Sequence, residues 1–560
     1  MNSSSPTVAL YVAQRLADLG IEHVFGVPGD YAFSFDDAVE LCPTLKWVAS
    51  ANELNAAYEA DGYARRRGAA ILTTTYGVGE LSAINGVMGS LAHRLAVFHV
   101  VGAPSRRIVA QKLITHHSLG DGIYGNFEKL SAAACCVSTF LTPENTIREM
   151  ERVIDEALGQ SKPAYIVISE DYGNMSVIGT PIKGKRLRDI TRRLPVKNEV
   201  DSAVDAIIKV LHKSNNVVAL PSAIVQRFEL KNELKAFLAK SKLSYAVTTM
   251  DKGIVDENDP AFLGIYNGAN SAPTSVKQIV ESADVVLDIG GVILMDLDTG
   301  FWTSNLSEDK VIHIKDDSVQ IGNRVWVGTS LQAVLQGLIE KVGPVKTPNP
   351  VDRPQMLALS GKPDTPTDSS IFYPRLQRML RSGDVLVAET GSCMLHLGRL
   401  LLPEGVGYEA QVLWGSIGWG TPAAVGVAMA NEPGRTILVT GDGSHQLTYN
   451  EIGVMGRYNP NLVIFVLNNG IFGIEDVLSE VGHEYDDLAK VNYHQVPKAM
   501  GCKGWITGKA STVAELDALI QQIQTSNAPA YIEVMIPAAE SQPVDKSVQD
   551  QMYKLQTPKA

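Results

Sequence analysis

Two polar turns near the C-terminus have the residue types of a cradle for phosphate and metal. The apolar run TILVT leads into Gly441, Asp442, Gly443 and Ser444, and the run LVIFVL leads into Asn468, Asn469 and Gly470, with 24 residues between the GDG and the NN. Each run reads as a buried parallel strand, so both turns fall at the strand ends where α/β sheets bind ligands. Glycine lets the backbone come close to a diphosphate, and the start of a following helix favours negative charge. The Asp442 carboxylate and the Asn469 side-chain oxygen are hard ligands. With the Ile471 backbone carbonyl and phosphate oxygens they can complete an octahedron around Mg²⁺. A GDG alone is an ordinary strand-to-loop turn; GDGS, the spacing and LNNG together carry the signal.

Other residues capable of chemistry are scattered. Helical periodicity in NELNAAYEADGYARR puts Glu53 on one face with Ala56, Ala57 and Ala60. An acid among small apolar residues is costly unless paired, and the plain alternative is that Glu53 caps the helix start. Asp30 ends VFGVPGD, His116 and His117 are adjacent in THHSLGD, Ile417 lies between glycines in WGSIGWG, and Glu475 follows the amide pair in NNGIFGIED. Taken singly they read as a turn aspartate, surface histidines, a core isoleucine and a solvated glutamate.

The elements that must position these residues alternate between strand and helix, three times over. A chain of 560 residues is too long for one core. The first third carries a helical run from Thr7 to Leu19, then HVFGVPG as a short strand ending in a Pro-Gly turn, the strands AAILTTTYG and LAVFHVVGAP, intervening helices, and a closing PAYIVISED. A basic, proline-containing stretch at 180–197 reads as a linker. The middle third carries NVVALPSA, SYAVTTMDKG, ADVVLDIGG and DKVIHIKDD, and a linker rich in Pro, Asp, Thr and Ser follows at 343–370. The last third carries GDVLVAETG, TILVTGDGS, NLVIFVLNNG and PAYIEVMIP. PAYIVIS and PAYIEVM echo one another at the ends of their units, which suggests that the first and last domains share a fold.

Bulk properties narrow the partners. A net charge of −12 argues against nucleic acid or an anionic membrane. No apolar run approaches the ~20 residues of a membrane span. Five cysteines without metal spacing fit reduced thiols in the cytoplasm, and the N-terminus shows no basic region followed by an apolar core.

GDGS, LNNG and their spacing resemble the thiamine-diphosphate motif of the pyruvate decarboxylase-like enzymes, over about residues 6 to 540. The resemblance implies an α/β protein of three doubly wound parallel-sheet domains of the thiamine-diphosphate-binding type. These are a pyrimidine-binding domain at 1–182, a central domain at 195–343, a diphosphate- and Mg²⁺-binding domain at 365–540, and a tail helix at 541–560. It implies thiamine diphosphate at Glu53, Thr75, Val78, Thr390, Gly415, Ile417, Gly441, Asp442, Gly443, Ser444, Asn469, Ile471, Phe472 and Gly473, with Mg²⁺ on Asp442, Asn469 and Ile471. In the family the Glu53 counterpart hydrogen-bonds the pyrimidine of a neighbouring subunit's cofactor, and the bulky residue matched by Ile417 bends the cofactor. A homodimer or dimer of dimers follows. The family usually places Gly and Tyr where this chain has Ile471 and Phe472; position 471 contributes a backbone carbonyl, so coordination survives.

The quartet Asp30, His116, His117 and Glu475 resembles the full catalytic set of the non-oxidative 2-oxo acid decarboxylases. Once CO₂ has left, a carbon must be protonated and a hydroxyl deprotonated. Histidine titrates near neutrality and suits that relay, and a protonated or mobile glutamate avoids repelling a carboxylate substrate. Carboligases of the acetolactate synthase type usually lack the His pair and this glutamate, so aldehyde release is favoured. A non-catalytic member would have lost Glu53, Asp442 or Asn469, and all three are present. Pyruvate-selective relatives tend to carry tryptophan near Met394. The flexible methionine favours a branched, aromatic or long-chain 2-oxo acid, with pyruvate as the alternative. The expected pocket is Met394, Leu395, Ile474 and Leu478, closed by Val548 and Met552 of the tail helix.

Overall fold

The computed structural model describes residues 5–184, 194–479, 482–538 and 543–556. Part of the first expected linker, 185–193, lies outside the described residues. The chain divides into two compact units. One comprises Met1–Arg192, Thr421–Glu432 and Thr448–Pro460; the other comprises Arg193–Gly420, Pro433–Leu447 and Asn461–Ala560.

The first unit is built on six parallel strands: β1 (His23–Gly26), β2 (Lys46–Ala49), β3 (Ala69–Thr75), β4 (Ala96–Ala103), β5 (Val137–Leu141) and β6 (Ala164–Ser169). Their order is β2-β1-β3-β4-β6-β5. Every residue of β3, β4 and β6 is buried, which is why these strands read as unbroken apolar runs rather than alternating ones. The edge strands β2 and β5 mix exposed and buried positions and escape that signal.

The helix Glu53–Arg67 is capped by Asn52, whose side chain accepts the Asn55 N–H at 2.8 Å. Capping therefore does not account for Glu53. The same helix lies backbone to backbone against residues 421–430. A Cβ on Gly62 would stand 2.1 Å from the Ala423 carbonyl oxygen, and one on Gly426 would stand 1.9 Å from that of Glu59. This close packing entombs Glu59 beside Glu451. Ser50 donates to Glu59, and Asn55 Nδ2 donates to Glu451 at 2.6 Å. Burial pushes both acids up, and mutual repulsion adds to the rise at Glu59.

The second unit contains two sheets. The central one has β7 (Val217–Pro221), β8 (Ser244–Val247), β9 (Phe262–Ile265), β10 (Val285–Ile289), β11 (Val311–Ile314), β12 (Ser318–Ile321) and β13 (Arg324–Val327). Their order is β13-β12-β11-β10-β7-β8-β9, parallel except for the β11-β12-β13 edge. The last sheet has β14 (Val385–Ala388), β15 (Gly407–Ala410), β16 (Thr436–Gly441), β17 (Leu462–Asn468), β18 (Ile506–Ala510) and β19 (Ala530–Met535), all parallel, in the order β15-β14-β16-β17-β19-β18. This is the strand order of the first sheet. PAYIVIS and PAYIEVM supply β6 and β19, the equivalent fifth positions, so the sequence echo reflects a repeated fold.

One close approach in the first unit bears on chemistry. A Cβ on Gly102 of β4 would stand 2.3 Å from Ala32 Cα and from the Tyr31 carbonyl oxygen. Only glycine lets the Asp30–Ala32 turn settle onto the sheet. Gly102→Ala should destabilise the protein by about 1–3 kcal/mol through overpacking. It should also lower turnover by lifting Asp30. Denaturant unfolding read beside kcat checks both effects; a variant with parental stability and rate would refute the packing argument.

Candidate active site

In the first unit, β1 passes through Val27, Pro28 and Gly29 into Asp30. A Cβ on Gly29 would stand 2.4 Å from Thr75 Cβ, so this turn sits directly on the end of β3. His116, 86 residues further along the chain, brings Nε2 to 2.7 Å from Asp30 Oδ2. Its ring stacks on Tyr31, with centroids 4.9 Å apart and planes 9° from parallel. His117 adopts a left-handed backbone with φ of 58° and meets the His116 ring edge-on at 4.6 Å. Asp30, His116 and His117 each place a polar side-chain atom within 4.8 Å of the others. The Asp30 and His116 side chains are 44% and 57% exposed, open to solvent and to proton exchange.

Glu53 is half-buried in the first turn of its helix. Gly79 leaves it room: a Cβ there would stand 3.3 Å from Glu53 Oε1. Val78 is exposed at the start of the helix Val78–Ala92, and Thr75 Oγ1 is buried with no hydrogen-bond partner.

In the second unit, the ends of β14, β16 and β17 surround a cavity of about 410 Å³. Thr390, Ile417, Gly441, Asp442, Gly443, Ser444, Asn469, Ile471, Phe472, Gly473, Ile474 and Glu475 all line it. Gly415, with φ of 63°, stands in the turn before Ile417, outside the lining.

Asp442 is 2% exposed. Its carboxylate accepts N–H groups from Gly470 at 2.8 Å and Gly443 at 3.1 Å. Burial still outweighs these donors and pushes the acid up to about 6. Asn469 Oδ1 accepts the Ile471 N–H at 3.2 Å, and a Cβ on Gly473 would stand 2.6 Å from Asn469 Nδ2. At Gly443 a Cβ would meet the Phe472 ring at 2.6 Å, whereas around Gly441 there is open space. Thr390 Oγ1 is buried without a partner. An under-compensated carboxylate, an amide oxygen, open glycine backbone and an orphaned hydroxyl are what a diphosphate with a divalent cation would satisfy. The residues fit that group.

Glu389 was not singled out in the sequence. It is fully buried, and desolvation pushes it up to about 7. It accepts N–H groups from Thr390 at 3.0 Å and Gly420 at 2.9 Å, which ties the loop bearing Ile417 to the end of β14. Also unforeseen is a plate in the cavity wall formed by Tyr373 and His396, whose rings stack 4.8 Å apart at 13°. His396 Nε2 lies 3.6 Å from Asp545 of the tail helix.

The expected substrate pocket is only partly represented in this lining. Ile474 belongs to it; Met394, Leu395, Leu478, Val548 and Met552 do not. Met394 is 2% exposed and packs in the apolar core of the last sheet. Val548 is buried, while Leu395, Leu478 and Met552 are half-buried. The Tyr553 hydroxyl ties the tail helix to the Leu478 carbonyl at 3.2 Å.

Three family models match the chain: the thiamine pyrophosphate enzyme N-terminal TPP binding domain over residues 6–123, the central domain over 204–342, and the C-terminal TPP binding domain over 390–534. The chain belongs to the thiamine pyrophosphate enzymes. Among its relatives, the alpha-keto-acid decarboxylase of Mycobacterium tuberculosis is 34% identical over 542 residues, 95% of either chain. The protein of the same name from Mycolicibacterium paratuberculosis is 35% identical over 541 residues, 95% of this chain and 94% of that one. In fold, the chain is similar to the thiamine diphosphate-dependent 4-hydroxybenzoylformate decarboxylase of Rhodococcus jostii, with a TM-score of 0.76 at 18% identity, over 96% of this chain and all of that one.

Asp442→Ala removes the cradle's buried carboxylate. The cofactor should then be lost on gel filtration while the fold persists, as read by released thiamine diphosphate and circular dichroism. Retention at the parental stoichiometry would remove Asp442 from the site.

Proposed function

We propose that this chain performs the non-oxidative decarboxylation of a 2-oxo acid to an aldehyde and CO₂, acting on a branched, aromatic or long-chain acid in preference to pyruvate. The observation that carries the reading is the Asp30, His116 and His117 cluster, within 4.8 Å. Such a cluster is equipped to deliver and remove protons after CO₂ leaves. The alpha-keto-acid decarboxylase relatives support the same reaction. The size preference draws support from the apolar and aromatic part of the cavity lining, Ile471, Phe472, Ile474, Ile536 and Tyr373.

Thiamine diphosphate, when bound, supplies a nucleophilic carbon and a sink for the electron pair left by CO₂. In this proposal Asp442, Asn469 and the Ile471 carbonyl hold Mg²⁺, and Thr390, Gly441, Gly443 and Ser444 take the diphosphate. Ile417, fixed through Glu389, sets the cofactor's bend. Glu53 hydrogen-bonds the pyrimidine of a neighbouring subunit, so the working unit is at least a homodimer. Asp30 orients His116 through the 2.7 Å hydrogen bond. His117, held edge-on, extends the relay. Glu475 is exposed on the cavity wall, within reach of solvent. The five cysteines are all free thiols, and no described helix is long and apolar enough to cross a membrane. Both support a cytoplasmic location.

A panel of 2-oxo acids assayed by coupled aldehyde reduction tests the reading. Aldehyde should appear stoichiometrically with CO₂, with higher kcat/KM for phenylpyruvate or 4-methyl-2-oxopentanoate than for pyruvate. Acyloin in place of free aldehyde would assign a carboligase; pyruvate as the best substrate would overturn the size preference alone.

Glu53→Gln should retain cofactor yet slow proton exchange at the thiazolium carbon by about 10²–10⁴-fold. Hydrogen–deuterium exchange followed by NMR measures this directly, and a parental exchange rate would exclude the role.

A further inference from the structure

We propose that a second cavity in the larger unit binds a small organic monocarboxylate with an apolar body, separately from the catalytic cavity. The space measures about 740 Å³, within the range of small-molecule sites. Its lining includes Arg353 and Arg399 and no acidic residue, in a chain whose net charge is −12. Arg399 Nη1 donates to the Asn270 carbonyl at 2.5 Å, and Arg353 Nη2 donates to the Asn258 and Asp259 carbonyls at 3.3 and 2.9 Å. These acceptors are neutral and leave both charges uncompensated. Arg399 reaches solvent, yet the concave wall withdraws enough water to push its pKa down, with no carboxylate acting against that shift. Guanidinium groups in this state bind carboxylates well, and partial desolvation strengthens the bond.

The rest of the lining suits an apolar body. Pro273, Leu357, Pro374 and Leu400 give it a hydrocarbon surface, and Tyr373 offers a ring face. Ser369, Tyr373 and His396 line both cavities, so the stacked Tyr373–His396 plate is a common wall. The tail helix touches each side of it. Asp545 lines the catalytic cavity and pairs with His396, while Ser547 lines the second and hydrogen-bonds Asn270. An occupant of the second cavity therefore contacts the same plate and the same helix that bound the first.

The test uses holoenzyme and 3-phenylpropionate, which lacks the 2-oxo group and cannot react. Isothermal titration should resolve two classes of site per chain. Arg399→Gln should weaken one class about tenfold or more and leave the other, with kcat within about twofold of the parent. Arg399→Lys should retain part of that affinity, which separates lost charge from lost fold, and Arg353→Gln should weaken the same class. Inorganic phosphate at matched ionic strength should fail to displace the ligand from it. A single class in the parent, or a second class indifferent to both glutamine substitutions, overturns the proposal. Displacement by phosphate reduces the site to a general anion patch and overturns it equally. Aldehyde release is measured independently, so failure here leaves the decarboxylase reading standing.

Discussion

A carboxylate buried at the end of a strand governs the arrangement of the larger unit. Asp442 leaves β16 into a site where water is almost wholly excluded, and an unpaired charge in such a place costs several kcal/mol. Backbone N–H groups reach it, those of Gly443 and Gly470 among them, and they do not cancel the effect of burial. The neighbouring choices follow from that shortfall. Gly443 must lack a side chain because the Phe472 ring occupies the position a Cβ would take. Gly473 must lack one because the Asn469 amide is there. The turn after β17 thus folds tightly over the turn after β16, and the two oxygen-bearing side chains converge on one cavity.

The repeated sheet gives each unit a crevice of its own at a reversal of strand order. In the order β2-β1-β3-β4-β6-β5, the connections reverse direction between β1 and β3, and in β15-β14-β16-β17-β19-β18 they reverse between β14 and β16. A crevice opens outside the strand ends at such a reversal. Asp30 and Thr75 follow or end β1 and β3; Thr390 and Asp442 follow β14 and β16. One topological feature, used twice, brings Asp30 and Thr75 to a strand-end crevice in one unit and Thr390 and Asp442 to one in the other. The central sheet ends in an antiparallel hairpin and carries none of the predicted site residues.

Legibility in the sequence followed burial and periodicity. Fully buried strands such as β3, β4, β16 and β17 stood out as unbroken apolar runs, and the glycine-rich turns after them stood out by composition. The edge strands β2, β5, β15 and β18 did not: they are short, and KWVA, VSTFL, GYEA and ITGKA contain polar or glycine positions that dilute the pattern. Glu389 was invisible because AETG resembles any strand-to-turn junction. Its importance lies in backbone N–H groups that come from residues about thirty positions away. The Tyr373–His396–Asp545 contact joins three elements with no common spacing. Met394 is a different case. A flexible apolar side chain next to a glycine-rich turn reads equally well as pocket or core, and here it packs in the apolar core of the last sheet.

Four buried carboxyls without an ion-pair partner among the described residues illustrate three ways of living without water. Glu59 and Glu451 face one another, and burial pushes both up, which favours their neutral forms. Glu389 accepts backbone N–H groups from Thr390 and from the distant Gly420, and those bonds tie the Ile417 loop to the end of β14. Asp442 has N–H donors as well, but it alone among these four carboxyls lines the catalytic cavity. It therefore has both the electrostatic need for a cation and the space to admit one. Burial raises Glu389 as well as Asp442, so what sets Asp442 apart is the adjoining space, where a divalent cation with its diphosphate would supply the missing compensation.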